Sequence, residues 1–180
     1  MKDLYLIGGA MGVGKTAVGQ QLKRDLPNSV FLDGDWCWDA DPFRVTEETK
    51  AMVLENICFL LNSFLRCTAY DHVIFCWVMH RQEIIDAILS KLKPEDCRVH
   101  CISLVCRPDV LEKRLRGDIA EGIRTPDILE KSLSYLPLYG PLHTEKIDTS
   151  ELSVQQAANM IVRGQPHSVM LTAPSRRARF

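Results

Sequence analysis

A one-sided charge is the first thing this sequence lacks: 22 lysines and arginines stand against 23 aspartates and glutamates, a formal net charge of -1 over 180 residues. Nucleic acids and anionic membranes are gripped by an excess of cations, so neither is expected as a partner. A long apolar run is missing too. The longest, residues 73–79, falls far short of the ~20 residues a spanning helix needs. Met1-Lys2-Asp3 leads straight into the first apolar stretch with no signal-peptide core, so a soluble cytoplasmic protein is expected. The seven cysteines (37, 58, 67, 76, 97, 101 and 106) include no C-x-x-C pair and are odd in number, which excludes a full disulfide framework and points to reduced thiols. Cys97, His100, Cys101 and Cys106 crowd one stretch, but they fall along an expected strand whose side chains alternate faces, so no shared metal is expected there. Internal repeats, low-complexity tracts and the guanine-reading [NT]-K-x-D pattern are absent as well.

What is present is concentrated near the start. Gly8-Gly9-Ala10-Met11-Gly12-Val13-Gly14-Lys15-Thr16 contains the phosphate-binding pattern G-x-x-x-x-G-K-[ST] at Gly9, Gly14, Lys15 and Thr16. Leu4-Tyr5-Leu6-Ile7 before it reads as a buried strand and residues 15–24 after it as a helix, the context the pattern requires. Phosphate oxygens must be approached by several backbone N–H groups at once, and the loop's glycines leave that approach free of side chains. A nucleoside triphosphate is therefore the expected ligand, cradled by Gly9, Gly12, Val13 and Gly14. Lys15 would supply a charge to its β- and γ-phosphates and Thr16 a hydroxyl to Mg²⁺.

The remaining pattern is that of one α/β domain over residues 1–164, with a basic, loosely ordered tail expected over 165–180. Strands are expected at 30–32, 72–78, 98–105 and 146–148, and the helices between them at 47–66, 83–92, from 108 to about 115, and 126–136. Thr46 reads as an N-cap, and Ser153-Val154-Gln155-Gln156 as a capping box for a last helix. The second strand runs into Asp33-Gly34-Asp35, at the sheet end where open parallel sheets bind ligands. Alternation along an extended chain would turn both acids toward the site, Asp33 to Mg²⁺ or its waters and Asp35 to a substrate hydroxyl. Trp36, Trp38 and Phe43 either wall a substrate pocket or pack as a loop. The third strand ends without an acid and runs into Met79-His80-Arg81, where Arg81 is a candidate grip for an anion. A structural role is the stronger expectation for His80. The glycine-punctuated, charged stretch from Arg116 to Arg124 reads as a mobile lid, with Arg114, Arg116 and Arg124 as candidates to stabilise charge on a transferring phosphoryl group.

These motifs in this order resemble the small P-loop kinases, the group of nucleoside, nucleotide, shikimate, gluconate and adenylylsulfate kinases and antibiotic phosphotransferases. The resemblance implies a three-layer P-loop NTPase fold with an approximately five-stranded parallel sheet, helices on both faces and an arginine-bearing lid. It implies ATP and Mg²⁺ as cofactors, Lys15, Asp33, Asp35 and the lid arginines as catalytic groups, Asp148 to Ser150 near the adenine, and a small-molecule acceptor. Trp77-Val78-Met79-His80-Arg81 has neither the D-G-F-P-R of adenylate kinases nor the triple glycine of shikimate kinases. Paired carboxylates suit a hydroxylated acceptor, since they would repel a phosphate not offset by arginines. The alternatives carried forward are a nucleoside monophosphate kinase and a nucleotide-binding switch without an acceptor. The oligomeric state stays open between monomer and homodimer.

Overall fold

The computed structural model describes residues 1–93, 96–164 and 168–172. Five parallel strands lie in the order β2-β3-β1-β4-β5: β1 (Lys2–Gly9), β2 (Ser29–Asp33), β3 (His72–Cys76), β4 (Asp96–Val105) and β5 (Glu145–Asp148). Six helices alternate with or follow them: α1 (Lys15–Asp25), α2 (Glu47–Arg66), α3 (Gln82–Lys91), α4 (Pro108–Ala120), α5 (Ile128–Tyr135) and α6 (Val154–Arg163). The layers are helix, sheet, helix, the expected α/β architecture. Strand β1 is central, and the near-continuous apolar character of β1 and β3 reflects that position: Leu4, Leu6, Ile7, Val73, Ile74 and Phe75 are all buried. Register is set by long parallel ladders, Leu6 standing beside Phe75 on one side and Cys101 on the other.

Local signals decide the helix starts. Thr46 caps α2 and Ser153 caps α6, each in a reciprocal capping box, with Thr49 and Gln156 returning a hydrogen bond to the cap backbone. Helix α4 runs further than expected. Arg116 and Glu112 pair one turn apart, Leu111 and Leu115 bury its inner face, and the glycine that ends it is Gly122 at φ +71° rather than Gly117. There Ile123 N–H donates to Asp118 O (2.8 Å) and Gly122 N–H to Ile119 O (3.0 Å), the double bond of a Schellman end. Arg114 and Arg116 are thus helical, and the stretch read as a mobile lid is mostly the last turns of α4.

Two further differences lie at strand ends. Strand β3 stops at Cys76, two residues short of the expected 78. Within the stretch expected to be a loose tail, Ser168–Thr172 form an antiparallel strand, β6, against Asp96–His100 of β4. Strand β5 pairs only with Ile102–Val105, so β6 covers the half of the β4 edge that β5 leaves open. The other tail residues fall outside the described ones. Among the described residues no helix is long and apolar enough to cross a membrane.

Gly19 of α1 makes one packing prediction. Alanine in a helix ordinarily gains about 0.5–1 kcal/mol over glycine. A Cβ at this position, however, would stand 2.4 Å from Phe31 Cε2, and Trp36 holds that ring edge-on at 5.5 Å. Overpacking costs about 1–3 kcal/mol and wins. Gly19→Ala is expected to lower stability by about 1–2 kcal/mol in urea unfolding; a rise would show that Phe31 moves freely.

Candidate active site

The loop between β1 and α1 is shaped by what its glycines omit. Gly9 adopts φ +153° and Gly12 φ +81°, and a Cβ at Gly12 would lie 2.5 Å from Leu115 Cδ2. Only glycine lets the loop lie against α4 while taking that left-handed turn. Three side chains tie the loop from behind: Ser132 of α5 donates to Met11 O, while Thr149 and Arg114 donate to Val13 O. Helix α1 begins directly after Gly14 with no acidic residue in its first turn, leaving its N-terminal N–H groups and positive dipole end to an anion.

Lys15 Nζ donates to Ala10 O at 3.0 Å, folded along the loop. Burial pushes its pKa below the usual lysine value, against the opposing pull of Cys76, Asp35 and Asp33. Thr16 Oγ1 donates to Asp33 Oδ2 at 2.8 Å, joining the loop to the end of β2. Asp33 is buried, and its Oδ1 accepts the backbone N–H of Asp35 at 3.1 Å, capping a 3₁₀ turn over Gly34–Cys37. The two acids therefore meet through a turn and not through strand alternation, because the chain leaves the extended conformation at Gly34. Asp35 lies in the first part of that turn, and its carboxyl is pushed above the ordinary aspartate value by desolvation first and by Asp33 second.

The structure brings Gly9, Gly12, Val13, Gly14, Lys15, Thr16, Asp33 and Asp35 into one site, and it distributes the three arginines. Arg124 pairs with Asp118 at 2.9 Å and is close enough to act electrostatically on both Lys15 and Asp35. Arg114 is held behind the loop by Val13 O (3.3 Å), Thr149 Oγ1 (3.1 Å) and Thr149 O (2.7 Å). It lines a cavity of about 140 Å³ with Val13, Val18, Thr149, Leu152 and Ala157. Arg116 lies on the outer face of α4, paired with Glu112 at 2.6 Å, and is not brought to the site. Helical spacing held the signal for this split, since Arg114 shares the inward stripe of Leu111 and Leu115 and Arg116 does not.

Around the acids, Trp36 is 61% exposed, and Trp38 packs on Phe43 with ring centroids 4.5 Å apart. His80 stacks on Tyr135 of α5 at 4.4 Å, and burial and Arg81 lower its pKa, so it stands as a neutral packed ring. The residues that the sequence reading missed are Cys76 and Trp77. Cys76 Sγ–H donates to Asp33 Oδ2 at 3.4 Å, and the Trp77 indole stands near enough to the Asp35 carboxyl to favour its charged form against desolvation.

The donor set fits Mg²⁺ and a triphosphate. Thr16 and Asp33 offer adjacent hard oxygens, and Lys15 with the α1 N-terminus offers positive charge beside a cradle that side chains would fill.

The chain is similar to known proteins in sequence and in fold. An AAA domain family model matches residues 6–132. A shikimate kinase of Pelotomaculum thermopropionicum is 27% identical over 179 residues, spanning 90% of this chain and 94% of that one. Among solved structures, the tunicamycin resistance protein of Deinococcus radiodurans superposes with TM-score 0.67 at 20% identity, covering 97% of this chain and 100% of that one. A gluconokinase from Sinorhizobium meliloti does so with TM-score 0.63 at 19% identity, covering 92% and 98%. At these identities the structural likeness speaks for the fold alone.

Proposed function

Because the chain belongs to the AAA domain family and has the build of a P-loop kinase, we propose that it transfers the γ-phosphoryl group of Mg-ATP to a hydroxyl of a small molecule. The observation that carries this reading is the division of labour between two acids two residues apart: Asp33 is bound to Thr16 at the phosphate end, while Asp35 stands clear of that bond. Thr16 and Asp33 would hold Mg²⁺, which would supply charge neutralisation for the triphosphate. The loop N–H groups and Lys15 hold the triphosphate, and Arg124 lies close enough to add positive charge where it develops. Asp35 accepts the acceptor's hydroxyl proton as the new O–P bond forms and the bond to the β-phosphate oxygen breaks, releasing ADP. The cavity lined by Val13, Arg114 and Thr149 offers room for the base.

ADP release with Mg-ATP, measured across nucleosides, nucleoside monophosphates, sugars, sugar acids, aminoglycosides and phenicols, tests the proposal. An acceptor-dependent rate confined to hydroxylated compounds supports it; a rate confined to monophosphates favours the nucleotide-kinase alternative. Slow ATP loss indifferent to every acceptor favours the switch.

The raised Asp35 pKa adds a pH dependence. A general base works ionised, so activity rises with pH through the carboxyl's own pKa. The acidic limb of kcat/KM is expected above the ordinary aspartate value of 3.8, since desolvation disfavours the charged form. A limb at or below that value would remove Asp35 from the base role.

A further inference from the structure

The carboxyl end of β3 carries two side chains that phosphate binding by itself does not require. Cys76 is fully buried, with Sγ 3.4 Å from Asp33 Oδ2 and 4.0 Å from Thr16 Oγ1. Trp77 stays tied to the sheet through its backbone N–H, which donates to Ile7 O at 3.2 Å, and its indole lies on the backbone of Gly34. A Cβ at Gly34 would stand 2.5 Å from Trp77 Cγ and 2.6 Å from Cδ1. Cys76, the last residue of β3, and Trp77 directly after it therefore stand against the turn that carries the two acids, and the glycine between those acids is the residue that leaves room for the ring.

We propose that Cys76 and Trp77 are positioning residues, a two-donor platform that holds Asp33 against the Thr16 hydroxyl and Asp35 toward the acceptor. The proposal rests on the phosphoryl-transfer reading above. Its chemistry follows from what stands at this strand end. An acid here would be a further anion beside Asp33 and Asp35, and crowded carboxylates resist joint ionisation. A thiol and an indole donate instead of accepting. They satisfy lone pairs of the two carboxylates and fix their direction without competing for a hard cation. Groups that orient metal ligands in this way are typically worth about 10–100-fold in metal affinity or activity. The indole also leaves Asp35 little freedom, since ring and backbone are in contact at Gly34.

The test uses Cys76→Ala, Cys76→Ser and Trp77→Phe in the full chain, each first checked for a native melting transition. The first readout needs no acceptor: Mn²⁺ binding in the presence of a non-hydrolysable ATP analogue, followed by the electron paramagnetic resonance of free Mn²⁺. Cys76→Ala is expected to weaken binding by about 10-fold or more, and Cys76→Ser, which keeps a donor, to stay within about threefold of wild type. The second readout is transfer to whichever acceptor the panel identifies. Trp77→Phe, which keeps a ring over Gly34 but loses the N–H, is expected to lower kcat about 10-fold with the KM for ATP unchanged. Wild-type Mn²⁺ affinity in a folded Cys76→Ala, or no recovery in Cys76→Ser, would reduce the thiol to packing and overturn its half of the platform. An unchanged kcat in Trp77→Phe would overturn the other. If the Mn²⁺ pattern holds while no acceptor is phosphorylated, the thiol's positioning role stands and the transfer reading falls; transfer with a flat Mn²⁺ pattern gives the reverse.

Discussion

Replacing Lys15 by methionine is expected to lower the rate of acceptor-dependent ADP formation by up to about 10³-fold and, at the same time, to raise the melting temperature of the protein without nucleotide. The kinetic figure follows from one charge pair. A unit charge about 4 Å from a phosphoryl oxygen in an effective dielectric of roughly 20 contributes ~4 kcal/mol, and each ~1.4 kcal/mol of barrier is tenfold in rate. The stability effect has the opposite sign because burial holds the Lys15 pKa below its usual value. The folded state then binds the proton less tightly than the unfolded state. The penalty is fully present below the folded pKa and fades as pH rises through it toward the unfolded value. At neutral pH methionine removes the penalty and keeps most of the chain's bulk. Added triphosphate should reverse the order of melting temperatures, because only wild type has the charge that receives it. A variant with an undiminished rate would refute the loop assignment, and a lower melting temperature without nucleotide would refute the burial argument.

Asp35→Asn is expected to reduce kcat by about 10²–10⁴-fold, the usual worth of a positioned general base. Binding of Mg-ATP should change little, because Asp33 and not Asp35 contacts Thr16. Asp33→Asn should show the converse, a weakened dependence on Mg²⁺ and nucleotide. Asp35→Asn should also stabilise the protein at neutral pH. Its raised pKa means the charged form is disfavoured in the fold, a penalty present above the folded pKa and gone below the unfolded one. Parallel loss of metal binding in both variants would contradict the separation of roles. Asp35 and Lys15 thus illustrate a site that trades stability for function.

The parts of this protein legible in the sequence are those fixed by neighbours along the chain. Helix α2 begins and ends where its apolar spacing and Thr46 put it, and the capping box at Ser153 marks α6, because a cap is an interaction across three residues. The phosphate loop is legible for the same reason. Harder to see was whether a glycine interrupts a helix or ends it. Gly117 continues α4, held by the burial of Leu111 and Leu115, and Gly122 closes it in a left-handed turn. Strand β6 depends on an edge that β5 leaves open, which becomes visible only once the sheet is assembled. The Cys76–Asp33 contact spans 43 residues, so nothing local marks it. One clue was available, since a glycine between two acids at a strand end implies that something lies close against it, and that is the Trp77 ring.

The most direct test of the central claim is ³¹P NMR of a reaction of the protein with Mg-ATP and the acceptor selected by the panel. The account predicts one new phosphate-monoester resonance growing in step with the β-phosphate of ADP, its growth slowed by about 100-fold or more in Asp35→Asn. Growth of inorganic phosphate alone, or of a diphosphate on a nucleotide acceptor, would contradict transfer to a hydroxyl.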